Sequence, residues 1–130
     1  MVIPVDFDIE GDQMAEKYLI IINNAPYGDE RPFNALRLAM NLVKRENTDV
    51  RVFLTADGVS CARRGQKTPD GYYNIERMIK AVALRGKVAT WQSCCDARGF
   101  GLDDLAEGVE MGSLVLMADW TVEVDKVLIF

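Results

Sequence analysis

Short apolar runs alternate with longer amphipathic stretches along most of the chain. The run at 18–22, YLIII, is continuous, which is typical of a strand that is covered on both faces. Similar runs at 50–54, 87–91 and 126–130 predict three further strands. The pattern therefore predicts buried strands that are separated along the chain by other elements.

Three stretches between these runs repeat apolar residues at the spacing of an amphipathic helix. Their marker residues are Phe33, Leu36, Met40 and Val43 in the first, Ile75, Met78, Ile79, Val82 and Ala83 in the second, and Leu114, Met117 and Ala118 in the third. The second stretch has the clearest ends. Asn74 is its expected N-cap, Arg85 lies in a basic last turn, and Gly86 is the expected left-handed stop.

Strands that alternate with helices predict a three-layer α/β fold, in which a mostly parallel sheet carries helices on both faces. The right-handed crossover rule places the carboxyl ends of the strands at one edge. Ligands of open α/β sheets bind outside that edge. Three polar segments collect there, namely residues 23–29, Asp57 with Gly58, and residues 94–98. The topology therefore predicts where a site lies before any chemistry is assigned.

The chain of 130 residues is long enough for one domain with its own core. Its first 13 residues differ from the rest, because Val5, Phe7 and Ile9 alternate with acids before Gly11 interrupts the pattern. We interpret residues 1–13 as an N-terminal extension, which is an arm, an edge strand or a frayed end. Residues 14–130 are then a single α/β domain.

The composition narrows the classes of partner and the cellular location. The formal net charge of −5 argues against nucleic acid as the main partner, because phosphate binding needs a basic surface. No apolar run approaches the roughly 18 residues that span a bilayer, and the acidic N-terminus does not resemble a signal peptide. These features predict a cytoplasmic protein without a membrane partner, in which Cys61, Cys94 and Cys95 stay reduced.

The absence of histidine excludes several kinds of site. Serine-type triads and histidine general bases need a residue that the chain lacks. Adjacent Cys94 and Cys95 cannot readily ligate one zinc ion together, and Cys61 has no CxxC partner. The first turn lacks the glycine pattern of dinucleotide binding, and Asn23 and Asn24 are neutral where a phosphoacceptor site needs acids. We therefore predict neither a metal nor a cofactor.

The segment WQSCCDARGF, residues 91–100, carries the chemistry that remains. A thiolate is the reactive form of cysteine, and a helix N-terminus or a nearby arginine stabilises it. A helical turn that begins at residue 93 or 94 would place Arg98 on the same face as Cys94 and turn Asp96 elsewhere. This arrangement favours a reactive thiolate at Cys94. The alternative of inert packing stays open for Cys94 and is favoured for the other two cysteines.

Six segments resemble one known family, in the same order along the chain. They are NNAPYGDERPFNALRLA, FLTADGV, RRGQKTPDGYYNIERM, SCCDARG, EGVEMGSLV and ADWTVEVDKVLIF, between about residue 18 and residue 130. On these motifs the chain resembles the DsrE/DsrF-like sulfur-relay proteins, and in particular their small YchN-type members. The resemblance implies a flavodoxin-like α/β fold and a homohexamer that is built as a trimer of dimers.

The same resemblance implies a role for the cysteine pair. A loop cysteine that follows a central strand carries a persulfide in the sulfur-relay members, and that position falls on Cys94. Many YchN-type members have C-x-x-C here, whereas this chain has Trp91 in the first of those places, which leaves Cys95 as the close second thiol. We expect Arg98 to pair with the anionic sulfur, and we expect sulfur donor and acceptor proteins as partners.

The candidate residues fall into three groups. They are Cys94 and Arg98 as catalytic residues, Cys95 and Asp57 as accessory residues, and Asn23, Asn24, Tyr27 and Asp96 as pocket residues. A plain turn role is also open for Asn23 and Tyr27. The predicted function is a sulfur carrier. The alternatives are a homo-oligomeric module that binds a small anion and a thiol redox sensor that uses Cys94 with Cys95.

Overall fold

Strands and α-helices alternate along residues 15–130, the part of the chain that the computed structural model describes. The strands in this range are β1 (Glu16–Ile22), β2 (Thr48–Leu54), β3 (Lys87–Trp91), β4 (Val109–Gly112) and β5 (Lys126–Ile129). The helices are α1 (Arg31–Leu42), α2 (Ile75–Arg85), α3 (Gln92–Ala97) and α4 (Leu114–Glu123), with 3-10 segments at Ala56–Ala62 and Leu102–Asp104. The predicted extension, 1–13, lies outside the described residues.

The strands form one parallel sheet in the order β4-β3-β2-β1-β5. Ile20 and Ile22 of β1 pack on one face with α1 and α2, whereas Leu19 packs on the other face with Trp120 of α4. The predicted α/β class, with helices on both faces of the sheet, is therefore confirmed. All five strands end at the same edge, which is the carboxyl edge of the sheet.

The observed elements include every strand and helix that the apolar pattern predicts, and they differ from it at two points. The apolar pattern does not predict strand β4. This strand has only four residues, of which Glu110 is exposed and Gly112 has no side chain, so it gives no apolar run. The predicted left-handed stop at Gly86 is wrong, since its φ is −119°. Glycine is needed there for space, because a Cβ atom would lie 2.5 Å from the carbonyl oxygen of Val50.

A group of charged side chains around Arg51 connects α4 to the sheet. The Arg51 side chain of β2 is almost fully buried and pairs with Asp49 at 2.9 Å and with Glu123 of α4 at 2.5 Å. Its guanidinium carbon lies 5.7 Å from the centre of the Trp120 ring. The hydrogen bond from Arg51 holds the pKa of the Asp49 carboxyl below its usual value. A buried charge needs such partners, so the cluster orients α4 across the sheet.

No helix within residues 15–130 combines the length and the apolar composition that crossing a membrane requires.

Candidate functional site

The turn that follows β2 is pinned against the end of β1. The Thr55 N–H donates to the Ile22 carbonyl at 3.0 Å, and the Gly58 N–H donates to the Asn23 carbonyl at 3.2 Å. A Cβ atom on Gly58 would lie 2.1 Å from the Ile22 carbonyl oxygen, so no larger residue fits without moving the backbone. This close approach sets the position of residues 55–58 at the carboxyl edge.

Ala56, inside this turn, directs its amide at the sulfur of Cys94. Its N–H donates to Cys94 Sγ at 3.2 Å. Its φ of +50° lies in the left-handed region, which costs a residue other than glycine about 1 kcal/mol or more. Strain of this kind is concentrated at functional positions. The predicted site residues did not include Ala56, because alanine gives no sequence signal for a left-handed backbone.

Cys94 belongs to the first turn of the short helix α3. The helix begins at Gln92, so the predicted helical turn is present and starts slightly earlier than residue 93. The Cys94 side chain is half-buried and packs at the border of the main core. Because β3 ends at Trp91, the helix carries its sulfur directly to the carboxyl edge.

Arg98 and Asp57 connect the two sides of the site. Arg98 Nη2 lies 2.6 Å from Asp57 Oδ1, and Arg98 Nη1 donates to the Cys94 carbonyl at 2.9 Å. The hydrogen bond to Asp57 raises the pKa of Arg98 above its usual value. The described hydrogen bonds of the Arg98 guanidinium go to the Cys94 carbonyl and to Asp57. The expected pairing of Arg98 with an anionic sulfur stays a prediction.

The other two cysteines are fully buried. Burial raises the pKa of the Cys95 thiol, and it raises the pKa of the Cys61 thiol to about 12. The neutral thiol is therefore the favoured form of both. Cys95 faces the main core beside Thr90, on the side of α3 away from the edge. This placement agrees with the packing interpretation of Cys95 and Cys61.

Asn23 and Asn24 make hydrogen bonds that link neighbouring segments beside the site. Asn23 Nδ2 donates to the Phe130 carbonyl at 3.3 Å, and Asn23 Oδ1 accepts a short hydrogen bond from the Thr55 hydroxyl. The Asn24 carbonyl accepts a weak bond from Cys61 Sγ at 3.7 Å. Asn23 therefore ties together the ends of β1, β2 and β5. These contacts support the turn role that was left open for Asn23.

Tyr27 and Asp96, the other two predicted pocket residues, take no part in these hydrogen bonds. The Tyr27 hydroxyl donates to Gln66 Oε1 at 2.5 Å and accepts from the Ile75 N–H at 3.0 Å, so this side chain engages the start of α2. Its ring stacks on Tyr73, with 5.6 Å between the ring centres. Asp96 is exposed on α3. Both remain predicted pocket residues, although neither side chain has a described hydrogen bond to Cys94.

Cys94 is the accessible thiol, and it lies just past the interior strand β3 of the parallel sheet. These features define a small α/β protein with a thiol site at the carboxyl edge. Within residues 15–130, His, Cys, Asp and Glu side chains form no group of three that could hold a metal ion. The chain belongs to the DsrE/DsrF-like family, whose model matches residues 16–130.

Relatives and solved structures agree with this membership. The protein YchN of Escherichia coli is 44% identical over 117 residues, which cover 88% of this chain and 99% of YchN. The crystal structure of YchN matches the fold with a TM-score of 0.83 over the same shares of the two chains. A protein of unknown function from Methanobacterium thermoautotrophicum has a TM-score of 0.68 at 20% identity, covering 85% of this chain and 96% of its own, and shares the fold.

A more distant relative carries a functional name. A sulfurtransferase TusD homolog of Vibrio vulnificus is 26% identical over 131 residues, which cover 89% of this chain and 98% of that protein.

Replacing Ala56 tests whether its amide acts on the sulfur. Glycine adopts a positive φ without strain, so Ala56→Gly should keep the alkylation rate of Cys94 at pH 7. A β-branched residue is strongly disfavoured there, so Ala56→Val should displace the amide. The hydrogen bond contributes about 1 kcal/mol to stabilising negative charge on the sulfur. Losing it disfavours the reactive form of Cys94, and the higher nucleophilicity of that form offsets only part of the loss, so we expect iodoacetamide to react about two- to threefold more slowly.

The rates are measured by intact mass over a time course, with circular dichroism as the control for folding. Cys61 and Cys95 should stay unlabelled in both variants while the fold is intact. Equal rates in two folded variants would contradict a role for the Ala56 amide.

Proposed function

We propose that this protein is a sulfur carrier, in which Cys94 accepts a sulfur atom as a persulfide and passes it to the thiol of a partner. The observation that carries the proposal is the difference among the three thiols. Cys94 is half-buried at the carboxyl edge with an amide directed at its sulfur, whereas Cys61 and Cys95 are buried in the core. Membership of the DsrE/DsrF-like family and the likeness to a TusD homolog add support.

The proposed transfer is an exchange between sulfur atoms. The Cys94 thiolate attacks the outer sulfur of a donor persulfide, the donor S–S bond breaks, and the donor leaves as a thiolate. Cys94 then carries the outer sulfur. An acceptor thiolate attacks that sulfur, the new S–S bond breaks, and the Cys94 thiolate is restored. No net oxidant or reductant is consumed, because each step makes one S–S bond and breaks another.

The residues around Cys94 have distinct roles in this scheme. The Ala56 N–H stabilises negative charge on the Cys94 sulfur, in the attacking thiolate and in the leaving thiolate. Arg98 adds positive charge nearby, and Asp57 orients it through the 2.6 Å ion pair. No general base is required once the thiolate is formed. The exchange needs reduced thiols, which is why we place the protein in the cytoplasm.

The two alternative functions are weaker on this geometry. A redox sensor that pairs Cys94 with Cys95 needs both sulfurs on one side, but Cys95 is fully buried toward the core and its neutral thiol is favoured. A module that binds a small anion would need donors that are free to reach a ligand. The Ala56 amide is already engaged by the sulfur, and two of the five N–H donors of Arg98 are engaged by the Cys94 carbonyl and by Asp57.

Intact mass of the purified protein tests the carrier proposal. The chain is exposed to a cysteine desulfurase with cysteine, or to polysulfide, and compared with Cys94→Ser and Cys95→Ser. We expect wild type and Cys95→Ser to gain one sulfur atom that a reductant removes, because Cys94 is intact in both. Cys94→Ser should gain none, since its remaining thiols are buried.

Two other results would contradict the role of Cys94 as the sulfur carrier. A gain that persists in Cys94→Ser would assign the sulfur to another thiol. If none of the three proteins gains sulfur, the carrier proposal fails and binding of small anions becomes the function to test.

We also propose that the protein is a homo-oligomer, with the hexamer of three dimers that the resemblance implies. The support is an apolar surface on α4 and β5. Leu114, Val115 and Val122 of α4 are exposed, the last to 86%, and Val127 and Ile129 extend the surface along the edge strand β5. Groups of exposed apolar side chains on neighbouring elements mark interfaces between proteins.

A charge on this surface tests the assembly. We expect Val122→Lys to shift the molar mass to a smaller species, because a buried lysine without a partner is costly at an interface. Leu102→Lys is the matched control, since Leu102 is exposed outside the surface. Size exclusion with light scattering reads both. An unchanged mass for Val122→Lys, or a monomeric wild type, would contradict the proposal.

A further inference from the structure

A groove of about 510 Å³ runs along the outer side of α2 toward the start of β4. Its lining includes Ala81, Ala83, Leu84 and Gly108. Leu84 is 86% exposed beside the two alanines of the lining. An apolar groove with a leucine this exposed gains free energy when another segment covers it. The groove is separate from Cys94 and serves no step of the proposed transfer.

Cations surround this apolar surface. Arg77 and Lys80 line the groove, and an adjoining groove of about 120 Å³ between α1 and α2 adds Lys44 and Arg85. Within residues 15–130 none of the four takes part in an ion pair. Glu107 is the acid in the lining. On a protein with a net charge of −5, four such cations around an apolar surface call for an acidic and partly apolar occupant.

We propose that these two grooves bind residues 5–10 of the same chain. This segment reads VDFDIE, so three apolar residues alternate with three acids. The apolar side chains match Leu84 and the alanines, and the acids match the long cationic side chains at the rims. Residues 5–10 lie outside the family match over 16–130, so the family does not supply this interaction.

The segment leaves the domain at the correct edge to reach the grooves. Strand β1 begins at Glu16 on the amino edge of the sheet, and α2 ends at Arg85 on the same edge, just before β3. From β1 to β4 is three strand spacings, about 15 Å. Six residues of extended chain, from Ala15 back to Ile9, span about 20 Å, and ten reach about 33 Å. The grooves also lie on the outer side of a helix that is about 10–12 Å across. The ten-residue span of about 33 Å covers this height together with the distance along the sheet, so both grooves lie within reach without a second copy of the chain.

Carbodiimide cross-linking of the full chain tests the proposal. The reagent activates a carboxylate, and a lysine in contact displaces it to form an amide. We expect Asp6, Asp8 or Glu10 to link to Lys80 and Lys44. Lys87 is the matched control, because it is exposed at the same edge but lies at the start of β3, outside the grooves. A mixture of isotope-labelled and unlabelled protein distinguishes links within one chain from links between chains.

Variants separate docking from random encounter. Arg77→Glu with Arg85→Glu should reduce the links at Lys80 and Lys44 to the level of Lys87, and so should Phe7→Ser. Arg64→Glu, outside the grooves, should leave them unchanged. Links that join labelled to unlabelled chains would make a second copy the occupant and overturn the proposal. Links to Lys80 no more frequent than to Lys87 would leave the surface to an acidic partner protein and overturn it equally.

Discussion

The candidate site depends on one close contact, between Gly58 and the last carbonyl group of β1. A side chain at Gly58 would collide with the Ile22 oxygen at 2.1 Å, so this glycine lets the turn after β2 lie directly on the end of its neighbour. The turn can then hold Ala56 in a left-handed conformation and direct its amide at Cys94, 3.2 Å away. Because the sheet is parallel, β3 ends at the same edge and brings Cys94 of α3 beside this turn. Without the close contact, the amide and the sulfur would have no fixed relation, because they belong to different crossovers.

The same geometry distinguishes neighbouring cysteines that are identical in chemistry. Successive residues of a helix point in directions about 100° apart, so α3 cannot present Cys94 and Cys95 on the same side. Cys95 faces the core, where burial raises the pKa of its thiol, and Cys94 faces the edge. Arg98 is at the end of the same helix and reaches Asp57 across the site. The accessible sulfur is thus set by the start of α3 at Gln92 and by the sheet beneath it.

Much of this arrangement could be predicted from the sequence, because it follows from periodicity and topology. Continuous apolar runs indicate buried strands, and parallel strands bring Asp57 and the segment of Cys94 to one edge. What could not be predicted depends on local space and competition. Ala56 carries no signal for its backbone, Gly86 is required by a neighbouring carbonyl rather than by a positive φ, and the bond between Arg98 and Asp57 joins residues 41 positions apart. β4 is too short and too polar at Glu110 for its pattern to be read.

To test directly whether the fold selects one thiol, the native wild-type protein is labelled with less than one equivalent of iodoacetamide and the label is located by peptide mass spectrometry. Reactivity follows exposure and thiolate character. We expect the label on Cys94, and we expect Cys61 and Cys95 to react only after the protein is unfolded in urea. Labelling of Cys95 or Cys61 at a comparable rate in the native protein would mean that the fold does not select one thiol.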